Sequence, residues 1–121
     1  MRILLIEDDP MNVELFEVAL ESAGHEIVTE RDGVSGQERA QSDRFDLILL
    51  DIQLPRRGGI EVCRALRAAG LRVPIVALSA SVLPEEVART ESAGFDRFLS
   101  KPIAPAALAR AVQEVHAAHR A

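Results

Sequence analysis

Phe45-Asp46-Leu47-Ile48-Leu49-Leu50-Asp51 is an apolar run that ends abruptly in a carboxylate. Its four consecutive large aliphatics, bounded by polar residues, read as a strand buried on both faces in the middle of a parallel sheet. The residues that follow, Ile52-Gln53-Leu54-Pro55 and then Gly58-Gly59, take the chain into a loop at the carboxyl edge of that sheet, where open α/β folds hold their ligands. Asp51 is therefore the candidate centre of function.

Before this strand, Arg2 to Ile6 forms a short aliphatic run ending in Glu7-Asp8-Asp9, with Asp9 placed as an N-cap and Pro10 as a first helical residue. Leu15, Phe16, Ala19, Leu20 and Ala23 recur at helical spacing up to Gly24. Glu26 to Glu30 reads as a second strand, and Asp32-Gly33 as the turn into a helix near Val34 to Ser42, which Gly36 and few apolar residues leave poorly specified. After it, Ile60, Cys63, Leu66 and Ala69 predict a third helix ending at Gly70, in which Cys63 is packing, and Val73 to Leu78 a fourth strand followed by Ser79. Pro84 to Ala93 has helical spacing with Val87 as its main apolar anchor, so this helix is expected to move at low cost. Phe95 to Ser100 predicts a fifth strand followed by Lys101-Pro102, and Leu108, Ala111, Val112 and Val115 predict a fifth helix running into a short polar tail. Five strands alternating with five helices over short loops imply an α/β fold, a doubly wound parallel sheet covered on both faces.

The 121 residues suit one domain, 1–121, and leave no room for a separate effector domain. A net charge of −5 argues against nucleic acid as a direct partner. The first apolar run is too short for a signal peptide or a membrane span, and a single cysteine excludes an internal disulfide, so a cytoplasmic location is expected.

Chemistry collects at the strand ends. Glu7-Asp8, Asp51, Ser79 and Lys101 all follow strands, and in a parallel sheet those ends share one edge. Glu7, Asp8 and Asp51, three carboxylates brought together, would repel unless a cation is present, and Mg²⁺ suits carboxylates with a backbone carbonyl, which Gln53 can offer. Lys101 is the only lysine among 14 basic residues, and its compact ammonium suits a phosphoryl oxygen or a carboxylate. Ser79 adds a hydroxyl donor, although a serine after a strand is by itself often only a loop cap. Asp9 is explained by helix N-terminal charge; Asp51 and Lys101 are not. Together the groups fit phosphoryl transfer to Asp51 as in-line nucleophile, with metal and Lys101 stabilising charge.

Ile3-Leu4-Leu5-Ile6-Glu7-Asp8-Asp9, Leu47 to Pro55, Ala77-Leu78-Ser79-Ala80 and Ser100-Lys101-Pro102, in that order, strongly resemble the receiver domain of bacterial two-component response regulators, the CheY-like superfamily, over the whole chain. The resemblance implies strand order 2-1-3-4-5, Asp51 as phosphoacceptor, Mg²⁺ on Glu7, Asp8, Asp51 and the Gln53 carbonyl, Ser79 as switch hydroxyl, Lys101 as phosphate partner and a cis Lys101-Pro102 peptide. It also implies a phosphoprotein rather than an enzyme, one that assists its own phosphorylation and dephosphorylation. The expected partners are a histidine kinase or histidine phosphotransfer protein and a downstream protein target, reached through the fourth helix, fifth strand and fifth helix of a monomer or weak dimer. The stretches after Asp51 and Ser100 resemble stand-alone receivers of the DivK kind; a receiver excised from a hybrid histidine kinase looks similar, and a phosphorylation-independent interaction module is a third reading. Two departures stand out. Phe98 occupies the switch position where many receivers carry Tyr, and Gly58-Gly59 replaces an acidic residue before glycine, which is expected to loosen that loop.

Rival chemistries lack their residues. A haloacid-dehalogenase-like phosphatase needs a second Asp where Gln53 stands, and a flavodoxin-like flavin site would be repelled by Glu7-Asp8-Asp9. A histidine phosphotransfer protein would be a helical bundle, and His25, His116 and His119 read as solvated.

Overall fold

The computed structural model describes residues 1–120, Arg120 by its backbone alone. The elements are β1 (Arg2–Ile6), α1 (Pro10–Ser22), β2 (Glu26–Glu30), α2 (Gly33–Ser42), β3 (Leu47–Asp51), α3 (Gly59–Ala68), β4 (Ile75–Ser79), α4 (Pro84–Ala93), β5 (Arg97–Ser100) and α5 (Pro105–Arg120). All strand pairs are parallel and the sheet order is β2-β1-β3-β4-β5, the order that the resemblance implies.

Period-two alternation distributes the aliphatic strands between two cores. Ile3, Leu5, Leu47, Leu49, Val76 and Leu78 meet Phe16 and Leu20 of α1 and Leu108, Val112 and Val115 of α5 on one face. Leu4, Ile6, Ile48, Leu50 and Ile75 meet Ala40 of α2 and Val62, Cys63 and Leu66 of α3 on the other. Each fully buried Leu or Ile is worth about 1.5–3 kcal/mol, and the two central strands β1 and β3 are the richest in them.

Several local expectations are corrected. The fourth strand begins at Ile75 rather than Val73, because the Val73 carbonyl accepts from Arg67 Nη1 at 2.8 Å. It also includes Ser79, whose carbonyl accepts from Lys101 N at 2.7 Å. The fifth strand begins at Arg97 rather than Phe95, since Phe95 N donates back to Thr90 O at 3.2 Å to close α4. Thr90 and Ala93 are the buried anchors of α4, and Val87 is only half-buried. The α5 helix continues to Arg120, through the expected polar tail.

His25 is buried rather than solvated, 9% exposed, with Nδ1 3.0 Å from the Met1 ammonium. Burial and that neighbouring charge hold its pKa below the usual imidazole range. His116 is half-buried and His119 exposed. Gly36, read as a weakness of α2, is a packing device: a Cβ there would lie 2.6 Å from Ile6 Cδ1, so glycine lets the helix settle onto β1.

Candidate functional site

The carboxyl ends of β1, β3, β4 and β5 converge on Asp51. Register aligns Ile6 with Leu50 and Asp51 with Leu78, so Glu7, one residue past β1, comes beside the end of β3. Asp9 caps α1 by accepting from Met11 N at 2.9 Å, which turns the chain sharply after the acid pair. Glu7, Asp8 and Asp51 offer carboxylate oxygens that all lie within 4.8 Å of one another. Glu7 is wholly buried, Asp51 is 4% exposed and Asp8 faces solvent.

Lys101 follows β5 and the Lys101-Pro102 peptide is cis. Its Nζ lies 2.7 Å from Glu7 Oε1 and 2.9 Å from Asp51 Oδ2. The second contact is an aligned hydrogen bond; the first is close but outside hydrogen-bond angles, which leaves Glu7 Oε1 a buried oxygen without a directed donor. Burial disfavours charge on Glu7 and the nearby Asp51 charge adds to this; the Lys101 ammonium opposes both, and the carboxyl is pushed up to about 7. For Lys101, burial works against the charge, but the neighbouring Glu7 and Asp51 carboxylates outweigh it and hold the ammonium above its ordinary pKa.

Three clustered acids, one of them with an unsatisfied buried oxygen, fit a hard divalent cation with oxygen ligands. Glu7, Asp8 and Asp51 would hold it. Gln53 sits at the same rim, exposed, with its N–H donating to Asp51 Oδ1 at 3.0 Å.

Glycine at position 59 explains how the loop after Asp51 is held. A Cβ there would lie 2.1 Å from the Asp51 carbonyl oxygen, so only glycine lets the first turn of α3 pack on the backbone of Asp51. Gly59 also fastens the loop, its N–H donating to Ile52 O at 2.8 Å. The strained residue is Arg56, at φ 68.

Ser79 lies at the same edge, 1% exposed, but its Oγ donates to Glu86 Oε1 in α4 at 3.2 Å and accepts from Ser81 N at 3.0 Å. Phe98 is half-buried against Ile52, Ile60, Ala77 and Ala93. The site thus brings together Glu7, Asp8, Asp51, Gln53 and Lys101, with Ser79 attached to a further residue, Glu86, that sequence reasoning missed. Nothing local marks Glu86, because a glutamate in a helix's first turn is already explained by the helix dipole.

Residues 3–113 match the family described as the response regulator receiver domain. The chain belongs to that family. This receiver is 39% identical over 102 residues to the cell cycle transcriptional regulator CtrA of Caulobacter vibrioides, covering 84% of this chain and 44% of CtrA. It thus spans less than half the length of that relative. It is 35% identical to the polar-differentiation response regulator DivK of Brucella anthropi, over 84% of each chain. Among solved structures, it is similar to the receiver domain of the sensor histidine kinase PA1611 of Pseudomonas aeruginosa, described with a magnesium ion coordinated in its active site cleft. That match has 36% identity and TM-score 0.88, and covers 96% of this chain and 97% of the other.

Proposed function

We propose that the chain is a single-domain response regulator that accepts a phosphoryl group on Asp51 from a histidine kinase or histidine phosphotransfer protein, and that this changes the α4–β5–α5 surface read by a protein target. The observation that carries the proposal is the pairing of Asp51 with Lys101 at 2.9 Å beside two further acids. The incoming phosphoryl group leaves its histidine nitrogen as an oxygen of Asp51 bonds to phosphorus, and the freed imidazole keeps the nitrogen lone pair. Lys101 meets the transferred oxygens with a positive charge already in place, which lowers the cost of gathering anions at a buried edge. Glu7, Asp8, Asp51 and the Gln53 carbonyl would hold Mg²⁺, which would supply the remaining charge neutralisation for the phosphoryl oxygens. The phosphorylated side chain gains about one unit of negative charge and strong acceptor oxygens, toward which the Ser79 hydroxyl turns, with Phe98 following into the space vacated.

The donor must seat its histidine over Asp51, so it meets the surface flanking that edge. There α1 exposes Met11, Leu15 and Val18, and the loop before α4 exposes Val82 and Leu83. Pro105, Ala106 and Ala109 of α5 complete an apolar groove with α1, which suits the apolar face of a donor helix.

Incubation with Mg²⁺ and a small acyl phosphate, followed by intact-mass analysis, tests the chemistry. Wild type should gain one phosphoryl group and Asp51→Asn should gain none at that position. Unmodified wild type, or equal labelling of the variant at the same site, overturns the proposal. A second reading, a receiver belonging to a hybrid histidine kinase, is supported by 38% identity to the sensor histidine kinase AruS of Pseudomonas aeruginosa over 95% of this chain and 12% of AruS. An immunoblot of cell extract separates the two, as a 13.2 kDa band or as a longer polypeptide.

A further inference from the structure

The single proton of the Ser79 hydroxyl can be donated to one acceptor at a time. It is committed to Glu86, 3.2 Å away, while the same oxygen receives Ser81 N at 3.0 Å. Glu86 stands in the first turn of α4, a helix whose N-cap, Leu83, provides no side-chain hydrogen bond and whose buried residues are Thr90 and Ala93 near its other end. The C-terminal end of α4 is well tied: Cys63 Sγ reaches Ala93 O at 3.4 Å and Arg67 Nε donates to Gly94 O at 3.0 Å. The N-terminal turn is held to the sheet through Glu86. On its other side Glu86 borders a small polar cleft with Gln53, Glu61 and Arg89, next to the site.

We propose that Glu86 is a positioning residue: in the unphosphorylated protein it holds the Ser79 hydroxyl and pins the first turn of α4, and phosphorylation of Asp51 proceeds against release of this contact. The proposal rests on Asp51 being the phosphoacceptor. A phosphoryl oxygen and the Glu86 carboxylate compete for one hydroxyl proton. When the phosphoryl group wins, Glu86 loses its donor and the α4 turn is freed. The strength of the contact thereby sets how readily the receiver leaves its resting state.

The test uses the whole chain with Glu86→Ala, Glu86→Gln, Glu85→Ala, Ser79→Ala and the Glu86→Ala/Ser79→Ala double variant. Glu85→Ala removes a carboxylate from the same helix turn and controls for the dipole. In the unphosphorylated protein, hydrogen exchange of the position-86 and Val87 amides, which bond to Leu83 O, should quicken about tenfold in Glu86→Ala, as for loss of one hydrogen bond to a charged group. It should quicken equally in Ser79→Ala, no further in the double variant, less in Glu86→Gln and not in Glu85→Ala. With acyl phosphate and Mg²⁺, Glu86→Ala should be phosphorylated several-fold faster than wild type, and this gain should vanish when Ser79 is already Ala. Wild-type exchange in Glu86→Ala overturns the proposal. So does a gain in phosphorylation that persists without Ser79, which would make Glu86 a repelling charge only. If wild type takes no phosphoryl group, the proposed function fails, while the exchange experiment still decides whether Glu86 pins α4.

Discussion

Lys101 is the residue on which the site balances. Its ammonium sits 2.7 Å from Glu7 and 2.9 Å from Asp51, both nearly inaccessible to water, and it is itself mostly covered. The arrangement is tolerable because each ion offsets the desolvation of its neighbours, and removing one member leaves the others uncompensated. Lys101→Ala is expected to cost about 3 kcal/mol of unfolding free energy without metal, with part of the loss recovered in excess Mg²⁺. Urea titrations with and without the metal check this, and a variant as stable as wild type in its absence would show that the ammonium does not compensate the pair. An arginine would not be equivalent, because a planar fork does not act as a point charge between two acids.

At the scale of elements, α3 and α1 serve the site in opposite ways. The α3 helix begins in contact with the backbone of Asp51, where Gly59 leaves no room for a methyl group; Gly70 beyond its end has a left-handed φ of 89 and open space around it. Gly59→Ala is therefore expected to cost about 2–3 kcal/mol through overpacking and to slow phosphorylation by displacing Asp51. Gly70→Ala should cost about 1 kcal/mol through backbone strain and leave phosphorylation untouched. Equal effects on phosphorylation by acyl phosphate would refute this division. The α1 helix buries Val13, Phe16 and Leu20 but presents Met11, Leu15 and Val18 outward: Leu15 is 51% exposed and contributes little to the core. Leu15→Arg should leave stability within about 0.5 kcal/mol of wild type and labelling by acyl phosphate unchanged. Transfer from a phosphorylated histidine kinase or phosphotransfer partner should fall about tenfold or more, as for a charge placed in an apolar contact. Equal losses with both donors would place the defect in the chemistry rather than in docking.

Over the whole molecule, the acid cluster links folding to pH and to metal. Glu7, at about 7 in the folded chain against 4.5 as an ordinary carboxyl, keeps its proton where the unfolded chain gives it up. Its contribution to stability is thus fully present below pH 4.5 and is lost as pH rises through about 7. Metal-free protein should lose stability across that window, seen as a falling urea midpoint. Mg²⁺ requires the deprotonated cluster, so its stabilising effect should grow over the same range, reaching about 2.7 kcal/mol at a hundredfold excess over its dissociation constant. A flat metal-free profile, or the same Mg²⁺ effect at pH 5 and pH 8, would contradict this linkage.

The local code determined the alternation of strands and helices, the helix stops at Gly24, Gly70 and Gly94, the Asp9-Pro10 helix start and the presence of acids, a hydroxyl and one lysine at strand ends. These follow from periodicity, capping and backbone sterics, which act between residues near in sequence. What only the tertiary structure decided lies between residues far apart. Phe95 looked like strand but closes α4, and His25 looked solvated but sits against the Met1 ammonium. Gly36 and Gly59 looked like weak points but are places where a helix and a strand approach too closely for a Cβ. Glu86, which nothing local marks, accepts the hydrogen bond of the Ser79 hydroxyl. Hydrogen-bond partners and steric clearance depend on which surfaces the sheet order brings together, and no local pattern encodes that.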